Sequence, residues 1–200
     1  MPSSTRSLSE PGEFVASLQR AIAAVPPPLT NNTDFTRWFE ARMQALARER
    51  QLRCYNKSAD NPCELLNIDH VFTKSDEYDA FPIIAVEHEN GPLGSRDGEL
   101  PLPNTGEYIE WATWKTLAMR VELSVVVAYP YDEQENAFRA VLTKMAKGWM
   151  RQHGQCPPLL VLAGWWSKNK ADFARPHMYE ALVPDAVGTL QTLGRISYPR

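Results

Sequence analysis

Two apolar runs, "ELSVVVAYP" (Glu122–Pro130) and "PPLLVLAGWW" (Pro157–Trp166), constrain this chain most. Neither alternates apolar with polar residues, so each reads as a strand covered on both faces. Residues 132–152 lie between them and read as a helix. Further upstream, residues 12–25 and the stretch from Asn32 to Arg53 carry apolar residues at helical spacing. In the longer of these the stripe is Phe35, Trp38, Phe39, Met43, Leu46 and Ala47. Strands are expected at 67–73 and 81–89, and a helix at about 106–120. "NGPLGSRDGELPLPNTG" (90–106) reads as a loop, and "HMYEALVP" as an edge strand. The order α, α, β, β, α, β, α, β, β predicts an α/β fold, with a central mixed sheet and helices on both faces.

Length supports a single domain. The chain has 200 residues, enough to bury a core without staples, with an N-terminal tail expected over 1–11 and one α/β domain over 12–200. A formal net charge of -3 excludes a strongly basic protein but not a local basic patch. The three cysteines, Cys54, Cys63 and Cys156, form neither a disulfide framework nor a zinc motif, which implies a reduced, cytoplasmic setting. No apolar run reaches membrane-spanning length, so no membrane partner is expected. Nor is there a P-loop, a dinucleotide-binding glycine motif, a nucleophile elbow or a zincin motif.

The chemistry concentrates in "NIDHVF" and "AVEHEN". Asp69 stands in the first, Glu87 and Glu89 in the second. Residues two apart on a strand project from one face, so the two glutamates share a face and His88 takes the other. Two like charges there call for a cation between them or a retained proton. The alternative is a wet strand end with solvated acids. The next helix carries Lys115, placed by its spacing among Tyr108, Trp111, Ala112, Ala118 and Met119, with Glu110, Thr113 and Arg120 facing away. A lysine there must reach solvent past Trp111 or meet an acid. His70 and His88 point away from Asp69 and Glu89, which suits structural roles better than metal ligation.

This pattern resembles the PD-(D/E)xK, or restriction-endonuclease-like, nuclease superfamily. Its core is αβββαβ, with a lone Asp on one strand and an acid-x-Lys triplet on the next. Asp69 matches the lone Asp and Glu87 the first acid. Glu89 stands where the family usually has lysine, and Lys115 matches a lysine moved to the following helix. The resemblance implies metal ligation by Asp69, Glu87 and Glu89, and catalysis by these three with Lys115. It implies Mg²⁺ as cofactor, with Mn²⁺ as substitute, and hydrolysis of DNA phosphodiesters by a homodimer. A partner protein of a defence or DNA-processing system is compatible with it. The rival readings are a catalytically inactive nuclease-fold binding subunit and a metal-dependent hydrolase of another phosphoester. The segment "GWWSKNKADFARPH" (Gly164–His177) also interleaves tryptophans with Lys168, Lys170 and Arg175, a pattern compatible with nucleic-acid contact or with core packing beside a solvated loop.

Overall fold

In the computed structural model, residues 7–28, 32–56, 68–75, 81–92, 102–165 and 178–197 are described. They form one seven-stranded mixed sheet with four helices. The helices are α1 (Pro11–Ala24), α2 (Asn32–Glu49), α3 (Leu102–Ala118) and α4 (Glu135–His153). The strands are β1 (Arg53–Asn56), β2 (His70–Thr73), β3 (Ile84–Pro92), β4 (Leu123–Tyr129), β5 (Leu159–Ala163), β6 (Met178–Pro184) and β7 (Leu190–Ser197). They lie side by side in sequence order. β3, β4 and β5 are mutually parallel, and every other neighbouring pair is antiparallel.

The two apolar runs are the middle of the sheet. β4 and β5 are buried at every position, because helices cover both faces. Val125 and Val127 pack with Phe35, Phe39, Met43 and Leu46 of α2 and with Phe14, Leu18 and Ile22 of α1. Val126 and Ala128 pack on the opposite face with Ile109 and Ala112 of α3 and with Phe138 and Leu142 of α4. The helical stripe expected on α2 is therefore the buried face of that helix. Arg50 ties α2 to α1 through Glu13 and the Ser17 hydroxyl.

Four expectations need correction. Residues 7–11 are not tail, since Leu8 is buried in the core and Ser9 hydrogen-bonds Glu122 at 2.8 Å, and residues 1–6 lie outside the described residues. "HMYEALVP" is not an edge strand, because β7 pairs along its free side. β7 went unseen because most of its residues are exposed or half-exposed, leaving little apolar signal. Both ends of the stretch 90–106 expected as a loop are regular structure, as β3 runs on to Pro92 and α3 begins at Leu102, and residues 93–101 lie outside the described residues. The fourth concerns α3. Trp111 and Ala118 are exposed, whereas Thr113 and Thr116 are buried, so the inward face is rotated from the one expected. Tyr108 lies outside the described side chains, as do Asn90, Cys63, Trp166, Lys168, Lys170 and Arg175.

The β6–β7 turn presses against α4. A Cβ at Gly188 would stand 2.9 Å from Lys147 Cγ and 3.0 Å from Met150 Sδ, and its φ of +79° favours glycine. Gly188→Ala is expected to lose roughly 1–2 kcal/mol, from left-handed backbone strain and the close approach. A lowered urea midpoint with unchanged m-value checks it.

Candidate functional site

Asp69 and Glu87 meet where β2 and β3 run side by side. His70 pairs with Val86, so Asp69, just before β2, stands beside Glu87. The Asp69 backbone N–H donates to Glu87 Oε1 at 3.3 Å. In return, the His88 N–H donates to Asp69 Oδ2 at 2.8 Å. From α3, Lys115 Nζ donates to Glu87 Oε2 at 2.8 Å. Glu87 is only 2% exposed and Lys115 6%. Asp69 and Glu89 are half-buried, and Glu89 lies near enough to act electrostatically on Glu87. Lys115 thus meets an acid instead of reaching past Trp111 to solvent.

Period-two alternation separates the histidines from the acids. His88 stacks on Phe39 of α2, with ring centroids 4.1 Å apart, and His70 lies 5.9 Å from the same ring. His88 Nε2 hydrogen-bonds Tyr129 Oη at 2.9 Å, and Tyr129 Oη meets Tyr179 Oη at 2.5 Å. These three side chains form a buried polar chain crossing from β3 to β6 beneath α2. Sequence reasoning missed the two tyrosines. Only the final tyrosine of a largely apolar β4 run hinted that a buried phenol needed a partner.

Two largely buried glutamates show how different such groups can be. Glu180 on β6 accepts from Arg139 Nη2 at 2.8 Å, Trp165 Nε1 at 2.9 Å and Thr192 Oγ1 at 2.6 Å. Burial alone would raise it, but the bonds from Thr192, Trp165 and Arg139 hold it below the usual carboxylate range. Glu180 is a satisfied structural acid. Glu87 goes the other way. Burial, then the Asp69 charge, push it up to about 7 against the pull of Lys115, and Glu89 adds to the rise. A carboxyl poised near neutrality between charged neighbours is a functional-site signature.

The donor set is hard oxygen from Asp69, Glu87 and Glu89. Among the described residues no group of three or more His, Cys, Asp or Glu is arranged to hold a metal ion. The chemistry present suits a cation that takes one or two carboxylates and completes its shell with water and phosphate. It does not suit an all-protein cage. Comparisons with family models, with curated proteins and with solved structures found no match.

Two outcomes are expected. The folded Glu87 carboxyl keeps its proton to about pH 7, whereas the unfolded one releases it near 4.5. Its contribution to stability is therefore full below about 4.5 and is lost as pH rises through 7. The stability of wild type relative to Glu87→Gln should fall by roughly 2–3 kcal/mol from pH 4.5 to pH 8 in metal-free buffer. Paired urea melts across that range read it. Lys115→Met removes the ammonium and leaves the acids uncompensated, which should cost about 3 kcal/mol at pH 8. The loss should shrink at pH 5, where Glu87 is protonated.

Proposed function

We propose that this protein is a Mg²⁺-dependent nuclease-fold enzyme that hydrolyses DNA phosphodiester bonds. What carries the reading is one arrangement. An acid just before β2, an acid on β3 and a lysine from the following helix share one hydrogen-bonded cluster. The element order α2-β1-β2-β3-α3-β4 supports it, being that of an αβββαβ core. The short β1 in "LRCYNK" supports the reading as the candidate first strand of such a core.

Asp69 and Glu87 are the residues to hold Mg²⁺ or Mn²⁺, with Glu89 beside them. A bound ion of this kind supplies polarisation of the scissile phosphate and a lowered pKa for its water. The rest falls to the chain. The His88 N–H fixes the Asp69 carboxylate through Oδ2. Glu89, half-exposed at the open end of the cluster, orients the attacking water. Lys115 offers positive charge to the phosphate oxygens as negative charge builds on them. The half-exposed Asp69 and Glu89 mark the side from which a phosphodiester approaches, since Glu87 and Lys115 lie beneath.

A non-catalytic binding subunit is the rival reading. It accounts less well for Glu87, because a solvated remnant acid would be neither buried nor paired with a buried lysine.

The test is cleavage of supercoiled plasmid DNA with Mg²⁺. Wild type should cut and EDTA should stop it. Asp69→Ala and Glu87→Gln should each lose on the order of 100-fold or more in rate. Equal metal-dependent cutting by wild type and both variants, all purified identically, would remove the site. Activity on a small model diester with none on DNA would reassign the substrate to another phosphoester.

A further inference from the structure

A cleft of about 430 Å³ opens between the C-terminal parts of α3 and α4, lined by Trp114, Arg120, Gly148, Trp149, Gln152 and His153 among others. Its volume lies in the roughly 300–1,000 Å³ range of ligand clefts. We propose that it binds a nucleotide, with the base held against the indoles and the phosphate by the cations. The inference deepens the nuclease reading by adding a nucleic-acid contact away from the acids.

Three observations point there. The first is aromatic exposure. Trp111 and Trp114 are each 56% exposed and lie nearly parallel, 11° apart, with centroids at 5.3 Å. Two indoles left in water on one helix face form a stacking platform of the kind that takes bases without regard to sequence. Trp149 forms part of the opposite wall, with His153 packed on it at 4.0 Å.

Charge is the second. Among the described residues the lining holds the Arg120 guanidinium and no carboxylate. Arg120 has no ion pair among the described residues, and the Arg151 guanidinium lies 3.7 Å from where a Cβ of residue 148 would stand. The cleft is therefore complementary to an anion carrying a flat ring, which describes a nucleotide.

The third is glycine inside a helix. Gly148 sits within α4 at a helix-propensity cost of about 1 kcal/mol relative to alanine. No close packing demands it, since an added Cβ meets only that guanidinium, at ordinary contact distance. What glycine does provide is a bare helix surface in the wall of the cleft.

A free mononucleotide and a base within a single strand present the same ring and phosphate, so the experiment separates them. A fluorescein-labelled ten-nucleotide deoxyoligomer is titrated with the full chain in EDTA, which suppresses cutting, and AMP is added as competitor. Anisotropy reads binding. Two variants probe the cleft. Gly148→Met fills it with a good helix former. Arg120→Gly removes the cation where the backbone, at φ of +52°, already has a glycine-favoured conformation, so the fold is kept.

Wild type should bind, and each variant should weaken binding by about 10-fold or more. Displacement by AMP identifies a single-nucleotide site. Binding of the oligomer without displacement identifies a strand site. No binding of either probe by wild type overturns the proposal, as does unchanged affinity in both variants with melting temperatures no lower than wild type. Asp69→Ala separates this cleft from the acid cluster, because it should abolish cutting with Mg²⁺ and leave binding in EDTA intact. If Asp69→Ala still cuts while the cleft variants fail to bind, the catalytic assignment falls and the nucleotide site stands.

Discussion

Burying the Glu87 carboxylate against the Lys115 ammonium sets the terms for the rest of this structure. Taking both groups out of water is expensive, and two further acids beside them add to the cost. An apolar pair of similar volume would serve the interface between α3 and β3 at least as well. The acids are also held in place by the backbone. The Asp69 N–H reaches Glu87, and the His88 N–H reaches Asp69. A carboxylate placed this way is fixed by the sheet itself, so its position does not depend on a mobile side chain.

β3 works as a partition. Ala85, Glu87 and Glu89 face α3, while Ile84, Val86 and His88 face α2. A slip of one residue in its pairing would exchange the two sets and put the charges into the aromatic layer. Several contacts oppose that slip. Phe39 stacks on the His88 ring, Tyr129 bonds it, and Tyr179 bonds Tyr129 in turn. The buried polar chain under α2 therefore locks the register on which the acid cluster over α3 depends. That gives the histidines a physical role without making them ligands.

What could be read from the sequence divides along the strength of the signal. β4 and β5 were legible because both faces are covered and nearly every residue is apolar. The acid–lysine cluster was legible for the opposite reason. Asp69, Glu87 and Lys115 are residues that strands and apolar helix faces normally avoid. β7 was not legible, since its residues are mostly half-exposed or exposed and it contains a glycine. The facing of α3 was misjudged because indoles rank as core residues and threonines do not. In the structure Thr116 is inward, its hydroxyl bonded back to Ala112 and Thr113 carbonyls, and its own carbonyl accepts from Ser124 Oγ. The Tyr129–Tyr179 contact joins residues 50 apart and leaves no local pattern at all.

The corrected facing of α3 changes what that helix can do. Trp114 and Lys115 are consecutive, about 100° apart around the axis. One therefore points outward to the cleft while the other points inward to Glu87. Had the tryptophans packed into the core, as hydrophobicity alone suggests, the lysine would have had less room on the inner face and the outer face would be polar. Burying small residues such as Ala112, Thr113 and Thr116 lets the helix approach the sheet closely enough for the Lys115 stem to bring its ammonium to 2.8 Å from the carboxylate. The same rotation that brings the cation to the acids leaves the indoles in water. The cluster on the sheet and the aromatic surface on the helix are two consequences of one packing choice.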